Sequence, residues 1–218
     1  MKNILLFDMD GTLIDSKKTI ADHFIKALDE LNISHTITSN IIGEHLEIPF
    51  NELNEIFEIG MNSEQFKDFI ECYRTNYAKE PLQGTVIYPL VKETLDNLKE
   101  KGYRFILVTG KHIDNARLIM KQLKLENYFE LIQGWEEELK PKPDPDILIK
   151  AIEKAGVNNN SCIMIGDTYV DILAGKALNI PTIAATYGLG KKKTLDESEP
   201  DFIIHQFVEL IDILEKIK

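Results

Sequence analysis

Apolar and polar positions follow two different patterns along the chain. Residues 4–7 are four apolar residues in a row, a run of the length and character of a short buried strand. From residue 17 to about residue 81 the apolar positions recur at helical spacing, and that stretch shows no convincing strand pattern. The pattern therefore predicts a first strand followed by an inserted all-helical unit of about 65 residues.

Beyond residue 81, short apolar runs typical of strands alternate with amphipathic stretches typical of helices. Strands are predicted at 105–109, 162–165, 182–186 and 202–204, and helices around 91–101, 113–123, 147–155, 173–178 and 207–217. Strands that alternate with helices form a parallel sheet through right-handed crossovers, with helices on both faces. We therefore predict an α/β protein with one domain from residues 1–15 and 82–218 and a helical domain from residues 16–81.

Polar residues follow the predicted strands and form a set. The set comprises Asp8, Asp10, Gly11 and Thr12 after the first strand, Thr109, Gly110 and Lys111 after the second, Lys140 and Lys142 before the 147–155 helix, and Gly166, Asp167 and Asp171 after the 162–165 strand. The carboxyl ends of parallel strands meet at one edge of a sheet, where ligands bind. We therefore expect these segments to converge on one cleft.

The residue types in this cleft suit phosphoryl transfer. Asp8, Asp167 and Asp171 could hold Mg²⁺, a hard cation that binds one or two carboxylates together with water and phosphate. Thr109, a backbone N–H near Gly110 and one lysine could bind the phosphoryl oxygens as their charge redistributes in the transition state. We therefore predict a magnesium site beside a phosphoryl-binding site.

The two acids of the first loop suit two different chemical roles. Asp8 is predicted to be the nucleophile, forming an aspartyl-phosphate, and Asp10 the acid to the leaving oxygen and then the base for water. The role of Asp10 needs a protonated carboxyl near neutral pH, although a free aspartate has a pKa of about 3.9. Crowded acidic groups can supply such an upward shift of the pKa.

Composition limits the classes of partner. Apolar residues make up 44% of the 218 residues, which is ordinary for a globular protein, and the net charge is -11. Non-specific nucleic-acid binding needs a basic surface, so we expect no nucleic-acid partner. Against this negative charge, a phosphate-bearing ligand needs a local cation.

The cysteines and the apolar runs indicate the compartment. The two cysteines, Cys72 and Cys162, have no metal or redox spacing and are interpreted as reduced packing residues. Asp8 and Asp10 interrupt the first apolar run too early for a secretory signal, and no apolar run approaches membrane-spanning length. We expect a cytoplasmic protein without a membrane partner, either a monomer or a small homo-oligomer.

These motifs resemble those of the haloacid dehalogenase-like hydrolase superfamily over essentially the whole chain. The matching residues are Asp8, Asp10, Gly11 and Thr12 for its D-x-D-G-T motif, Thr109 for its second, Lys142 or Lys140 for its K-P-x-P motif, and Gly166, Asp167 and Asp171 for G-D-x-x-x-D. The resemblance implies a Rossmann-like doubly wound core with a helical cap inserted after the first motif. It also implies Mg²⁺ held by the Asp8 side chain, the Asp10 carbonyl and Asp167. Asp171 is then expected beside these ligands, without direct contact with the metal.

Two details of the resemblance concern the phosphoryl site. Lys142 is preferred over Lys140 because the sequence that follows it matches family members more closely. Gly110 stands where relatives similar to phosphoglycolate phosphatase often carry Asn or Ser. A backbone N–H still suffices at that position, although a side-chain contact to the substrate is lost.

The resemblance implies a Mg²⁺-dependent phosphatase for a small phosphorylated metabolite. A phosphomutase of the beta-phosphoglucomutase type is the first alternative, weakly disfavoured because those mutases tend to carry an apolar residue at the position of Thr12. A signalling receiver that stores phosphate on an aspartate is the second.

Substrate contacts are expected in both domains. In the core they are Gly11, Thr12 and Gly110. In the cap, Gly43 is expected in a loop that faces the site, or else it only completes a helix turn. His23 and Arg74 are candidates to contact a second anionic group of the substrate, or else surface residues on amphipathic helices.

Overall fold

The structure, a computed structural model, describes residues 2–217. The predicted first domain extends to Met1 and Lys218, which lie outside the described residues. Contacts between Cα atoms divide the chain into two compact units. One contains the residues up to Asp15 and from Ile87 onward, and the other contains Ser16–Val86. The assignment of catalytic core to 1–15 and 82–218 and of cap to 16–81 stays a prediction.

The helices and strands follow one another along the chain as the two parts of the pattern suggest. In chain order they are β1 (Ile4–Phe7), β2 (Ile14–Asp15), α1 (Lys17–Glu30), α2 (Ser39–Gly43), α3 (Phe50–Ile56), α4 (Ser63–Lys79), β3 (Val86–Ile87), α5 (Val91–Glu100), β4 (Arg104–His112), α6 (Ile113–Gln122), β5 (Leu131–Trp135), α7 (Asp146–Ala155), β6 (Cys162–Gly166), α8 (Tyr169–Ala177), β7 (Thr182–Ala185), α9 (Lys192–Glu197), β8 (Phe202–Ile204) and α10 (Leu210–Lys216). Short 3₁₀ turns occupy Glu126–Tyr128, Asn159–Ser161 and Phe207–Glu209.

The main sheet is parallel, in the order β5-β4-β1-β6-β7-β8 among the described residues. The first strand, β1, lies between β4 and β6, and its Phe7 is in register with Leu107 on one side and Ile165 on the other. All four residues of β1 are buried, as expected for a strand covered on both faces. The predicted α/β fold with a Rossmann-like parallel sheet is therefore confirmed.

Strands β2 and β3, which form a separate two-stranded sheet, were not predicted, and two strands of the main sheet differ from the prediction. The edge strand β5 was not predicted, because Gln133 and Gly134 interrupt its apolar run. Strand β4 does not end at Thr109 as expected but continues to His112, with an irregular register against β5 between Val108 and His112. An irregularity of this kind bends a strand and redirects its side chains. Thr109 therefore lies in a distorted segment of β4, next to Gly110 and Lys111.

The helical unit has its own apolar core. Phe24 of α1 packs against Phe69 of α4 and Phe50 of α3, with ring centroids 4.8 and 5.0 Å apart in edge-on arrangements. Asn62 caps α4 through a capping box with Gln65, which satisfies N–H groups at the start of the helix. The short helix α2, which the sequence pattern did not reveal, ends at Gly43.

The helices of this protein are short and amphipathic. Its longest, α4, has 17 residues, and charged side chains recur along it. Within residues 2–217, no helix combines the length and the apolar character that crossing a membrane requires.

Candidate active site

Asp8 directly follows the central strand β1. Its backbone N–H donates to the carbonyl of Ile165 at 2.9 Å, so the pairing of β1 with β6 continues as far as this residue. The residue is 7% exposed, and its carboxylate is bonded to the ammonium group of Lys142. The apolar run of β1 therefore carries a carboxylate to the sheet edge, where it is largely shielded from solvent.

Lys142 reaches this carboxylate from the loop before α7. Its Nζ donates to Asp8 Oδ1 at 2.7 Å, to the Val108 carbonyl at 3.1 Å, and to Asp171 Oδ1. Burial alone would lower the pKa of Lys142, but the carboxylates of Asp171 and Asp8 raise it above its ordinary value. Lys140, the other candidate lysine, has a side chain that is 73% exposed and pairs with Asp144. The lysine at the strand ends is therefore Lys142.

The two acids that follow β6 are both held by hydrogen bonds. Asp167 accepts from Thr12 Oγ1 at 2.7 Å and from the backbone N–H of Leu189 at 2.7 Å. Asp171, in the first turn of α8, accepts from the hydroxyl of Thr168 at 2.6 Å and from its backbone N–H at 3.1 Å. The carboxylates of both residues are buried and have defined orientations.

The turn after β1 brings Asp10 to a second lysine. Gly11 has a φ of +86°, and its N–H donates to the Ile14 carbonyl at 2.8 Å, which closes the turn. Lys111 Nζ lies 3.3 Å from Asp10 Oδ2, and these side chains are 8% and 13% exposed. Lys111 belonged to the predicted set without a role of its own. The structure pairs it with the predicted acid/base, Asp10.

The distorted part of β4 carries the predicted phosphoryl-binding residues. Thr109 is 1% exposed, and its Oγ1 accepts from the backbone N–H of Lys111 at 3.2 Å. Gly110 between them is exposed, and a Cβ at this position would meet no atom within 4 Å. The backbone of Gly110 is therefore accessible to a ligand.

Gly11 and Thr12, predicted as substrate contacts, both touch Asp167. A Cβ at Gly11 would lie 2.0 Å from Asp167 Oδ2, so a side chain cannot be accommodated there. The Thr12 hydroxyl, fully buried, donates to Asp167 Oδ1. Contact of either residue with substrate stays a prediction, whereas their contact with Asp167 is direct.

The loop after β7 was missed by the sequence analysis. Leu189 supplies the backbone N–H to Asp167, and a Cβ at Gly188 would lie 2.3 Å from the Gly11 carbonyl oxygen and 2.4 Å from Asp167 Oδ2. Tyr187 donates its hydroxyl to the Thr12 carbonyl at 2.9 Å. The signal available in the sequence was the Gly188-Leu189-Gly190 run shortly after a predicted strand.

The candidate residues of the helical unit are described within that unit alone. A Cβ at Gly43 would lie 3.1 Å from the Lys17 side chain, so the position is tightly packed. His23 is buried, so the alternative of a surface residue is wrong for it, and its Nδ1 donates to the Thr19 carbonyl at 2.8 Å. Arg74 is half-buried. A role of these three residues in substrate binding stays a prediction.

The acids and lysines at the strand ends form a set that we call the acid–lysine cluster, which comprises Asp8, Asp10, Lys111, Lys142, Asp167 and Asp171. Carboxylate oxygens of Asp8, Asp167 and Asp171 lie within 4.8 Å of one another, close enough to bind one metal ion. Burial, reinforced by the neighbouring acids, raises the pKa of Asp167 well above its ordinary value, and burial raises that of Asp8 to about 7 against the opposing effect of Lys142. Taken as fully ionised, the four carboxylates exceed the two ammonium groups by two charges. The donor set and this charge fit a divalent cation.

Comparisons with known proteins identify the family of this chain. The sequence profile of the haloacid dehalogenase-like hydrolases matches residues 5–185. A phosphoglycolate phosphatase from Aquifex aeolicus is 31% identical over 215 residues, which cover 97% of this chain and 96% of the relative. The pyrophosphatase PpaX from Bacillus velezensis is 31% identical over 211 residues, which cover 96% of this chain and 94% of the relative.

A solved structure shows the same fold. The haloacid dehalogenase-like family hydrolase from Streptococcus pneumoniae superposes with a TM-score of 0.83 at 26% identity, covering 97% of this chain and 98% of that one. A receiver that only stores phosphate is not supported, since the matched family consists of hydrolases. The chain belongs to the haloacid dehalogenase-like hydrolases and, with these relatives, to the phosphatases among them.

Proposed function

We propose that this phosphatase hydrolyses a small phosphorylated metabolite through an aspartyl-phosphate on Asp8, in a reaction that depends on Mg²⁺. The observation that carries the proposal is the bond of 2.7 Å between Lys142 Nζ and Asp8 Oδ1, at a sheet edge that also holds Asp167 and Asp171. A buried carboxylate beside a fixed ammonium group can attack phosphorus while the ammonium group balances the charge of the phosphoryl oxygens.

Two displacements at phosphorus complete the proposed reaction. In the first, an Asp8 oxygen forms a bond to phosphorus, the bond from phosphorus to the leaving oxygen breaks, and that oxygen takes a proton from Asp10. In the second, water loses a proton to Asp10 and attacks phosphorus, and the bond to Asp8 breaks. Thr109 and a backbone N–H near Gly110, where there is open space, are suited to bind the phosphoryl oxygens in both steps.

The acid–lysine cluster supplies the ligands for the cation. The Asp8 side chain, the Asp10 carbonyl and Asp167 would hold Mg²⁺, with Asp171 in support. When bound, Mg²⁺ offsets negative charge on the phosphoryl group. Thr12 and Leu189 orient Asp167 by hydrogen bonds. Hydrogen bonds to a metal-binding carboxylate commonly tune the affinity of the site for its metal.

The names of two relatives suggest the class of substrate. One is a phosphoglycolate phosphatase and the other a pyrophosphatase, and both substrates are small and carry a second anionic group. We propose a substrate of this class for the present enzyme. A phosphomutase would use the same residues, and its requirement for a sugar bisphosphate would distinguish it.

A phosphate-release screen tests the proposal. The panel contains phosphoglycolate, pyrophosphate, sugar phosphates and nucleotides, each assayed with Mg²⁺ and with EDTA. We expect multiple turnovers on at least one member with Mg²⁺ and little release with EDTA. Release that is equally fast in EDTA would contradict the metal dependence. No release from any member of the panel would contradict the proposed hydrolysis of a small phosphorylated metabolite.

A further inference from the structure

Lys111 is a second enclosed cation of the acid–lysine cluster, separate from Lys142. Its side chain is 8% exposed, and its Nζ lies 3.3 Å from Asp10 Oδ2. Lys142 contacts the proposed nucleophile, Asp8, whereas Lys111 contacts the residue that exchanges protons with the leaving oxygen. Under the proposed function, Lys142 therefore lies on the side of the attacking oxygen and Lys111 on the side of the leaving group.

Two features of Lys111 bear on what it can bind, an anchored backbone and a flexible side chain. Its N–H donates to Thr109 Oγ1 at 3.2 Å, beside the proposed phosphoryl site. The 3.3 Å contact with Asp10 is longer than the roughly 2.7–2.9 Å of a strong charge-assisted hydrogen bond. A flexible four-carbon stem carries the ammonium group, which can exchange one anionic partner for another.

A leaving group with its own negative charge meets an unfavourable field in this protein. The chain carries a net charge of -11, and the cluster itself has more carboxylates than ammonium groups. In a site of low solvent exposure an unpaired anion is costly. A cation on the leaving-group side removes that cost, and Lys111 is in the position to do so.

We propose that Lys111 binds an anionic group on the leaving-group side of the substrate, a carboxylate or a second phosphate, and so selects doubly anionic phosphate compounds. This inference rests on the proposed function, because it takes Asp10 as the group that serves the leaving oxygen. On binding, the ammonium group of Lys111 leaves Asp10 for the anion of the substrate, and no covalent bond changes.

Two matched substrates test this selection. Carboxymethyl phosphate (phosphoglycolate) and ethyl phosphate differ in the carboxylate of the leaving group, and kcat/KM is measured for both with Mg²⁺. In Lys111→Met we expect the preference for the carboxylate to fall at least about tenfold, while Lys111→Arg, which keeps the charge, retains most of it. Lys192→Met removes the same charge from an exposed side chain that pairs with Asp196 and should change neither value.

Equal losses on both substrates, or none on either, would overturn the proposal, since Lys111 would then only position Asp10 or have no role. A binding measurement that needs no turnover tests the role of Lys111 even if the proposed phosphatase mechanism is wrong. Calorimetry compares 3-phosphonopropionate with propylphosphonate, neither of which can be hydrolysed at a P–C bond by this route. We expect the wild type to favour the carboxylate and Lys111→Met to lose that preference, even if no phosphate ester is turned over. A wild type that binds the two phosphonates equally, or neither of them, would overturn the inference.

Discussion

Lys142 Nζ lies 2.7 Å from Asp8 Oδ1, although 134 positions separate the two residues in the chain. The same ammonium group is bonded to Asp171, so two buried carboxylates share one cation. Taking ions out of water is costly, and it is the close pairing and the additional bond to the Val108 carbonyl that offset this cost. We therefore expect catalysis and stability to depend on the same amine.

Replacing Lys142 should damage both properties at once. In Lys142→Met, Asp8 and Asp171 lose their shared cation, and we expect the free energy of unfolding at pH 8 to fall by about 3 kcal/mol. Phosphate release should fall at least about 100-fold. Denaturant unfolding in EDTA and a turnover assay with Mg²⁺ measure the two effects. Lys140→Met is the matched control and should retain both, because its side chain is 73% exposed. Larger losses of stability and activity in Lys140→Met than in Lys142→Met would refute the assignment of Lys142 as the active-site lysine.

The nucleophile is tested by a substitution of the same shape. Asp8→Asn keeps the volume of the side chain but removes the attacking carboxylate, so we expect turnover to fall at least about 1,000-fold. Far-UV circular dichroism should be unchanged. A variant within tenfold of the wild type would contradict covalent catalysis by Asp8.

Loss of the proposed acid/base should expose the proposed intermediate. In Asp10→Asn, attack by Asp8 on a substrate with a good leaving group needs no proton donor, whereas the attack of water lacks its base. We expect intact-mass spectra to show enzyme with one added phosphoryl group, and Asp8→Asn in the same assay to show none. Unmodified Asp10→Asn protein throughout slow turnover would count against this role.

The loop that holds Asp167 offers a test away from the reacting atoms. In Gly188→Ala the new Cβ would lie 2.4 Å from Asp167 Oδ2, so the carboxylate or the loop must shift. We expect a several-fold higher Mg²⁺ concentration for half-maximal activity. Leu189→Ala, which keeps the N–H that donates to Asp167, should behave like the wild type. An unchanged magnesium requirement in Gly188→Ala would argue against the role of this loop.

The thiol of Cys162 should be nearly inert in the folded protein. Burial raises its pKa to about 11, so at pH 8 only about one thiol in a thousand is ionised, compared with about one in four for an ordinary thiol. Because the pKa is raised, the labelling rate should climb as the pH increases toward 11. Timed iodoacetamide labelling with peptide mass analysis, in native buffer and in denaturant, measures this difference. Native labelling of Cys162 as fast as in denaturant would disprove it.

Much of the fold follows from local pattern. The apolar run of β1 predicts a strand buried on both faces, and the alternation beyond residue 81 predicts the parallel sheet, which is confirmed. The edge strand β5 was not predicted because Gln133 and Gly134 break its apolar run. Pairing with β4 stabilises it nevertheless. Its existence depends on a neighbouring strand rather than on its own composition.

The sequence by itself determined which kinds of residue stand at the strand ends, and from their motifs the family of the enzyme, because residue type and spacing are local properties of the chain. Only the tertiary structure decided that Lys142 rather than Lys140 meets Asp8, that Lys111 pairs with Asp10, and that a backbone N–H from Leu189 holds Asp167. These contacts depend on the path of loops that join distant strands. Lys140 and Lys142 carry the same ammonium group, so residue type cannot distinguish them. Nearly every residue has a backbone N–H, so the sequence does not indicate which one donates to Asp167.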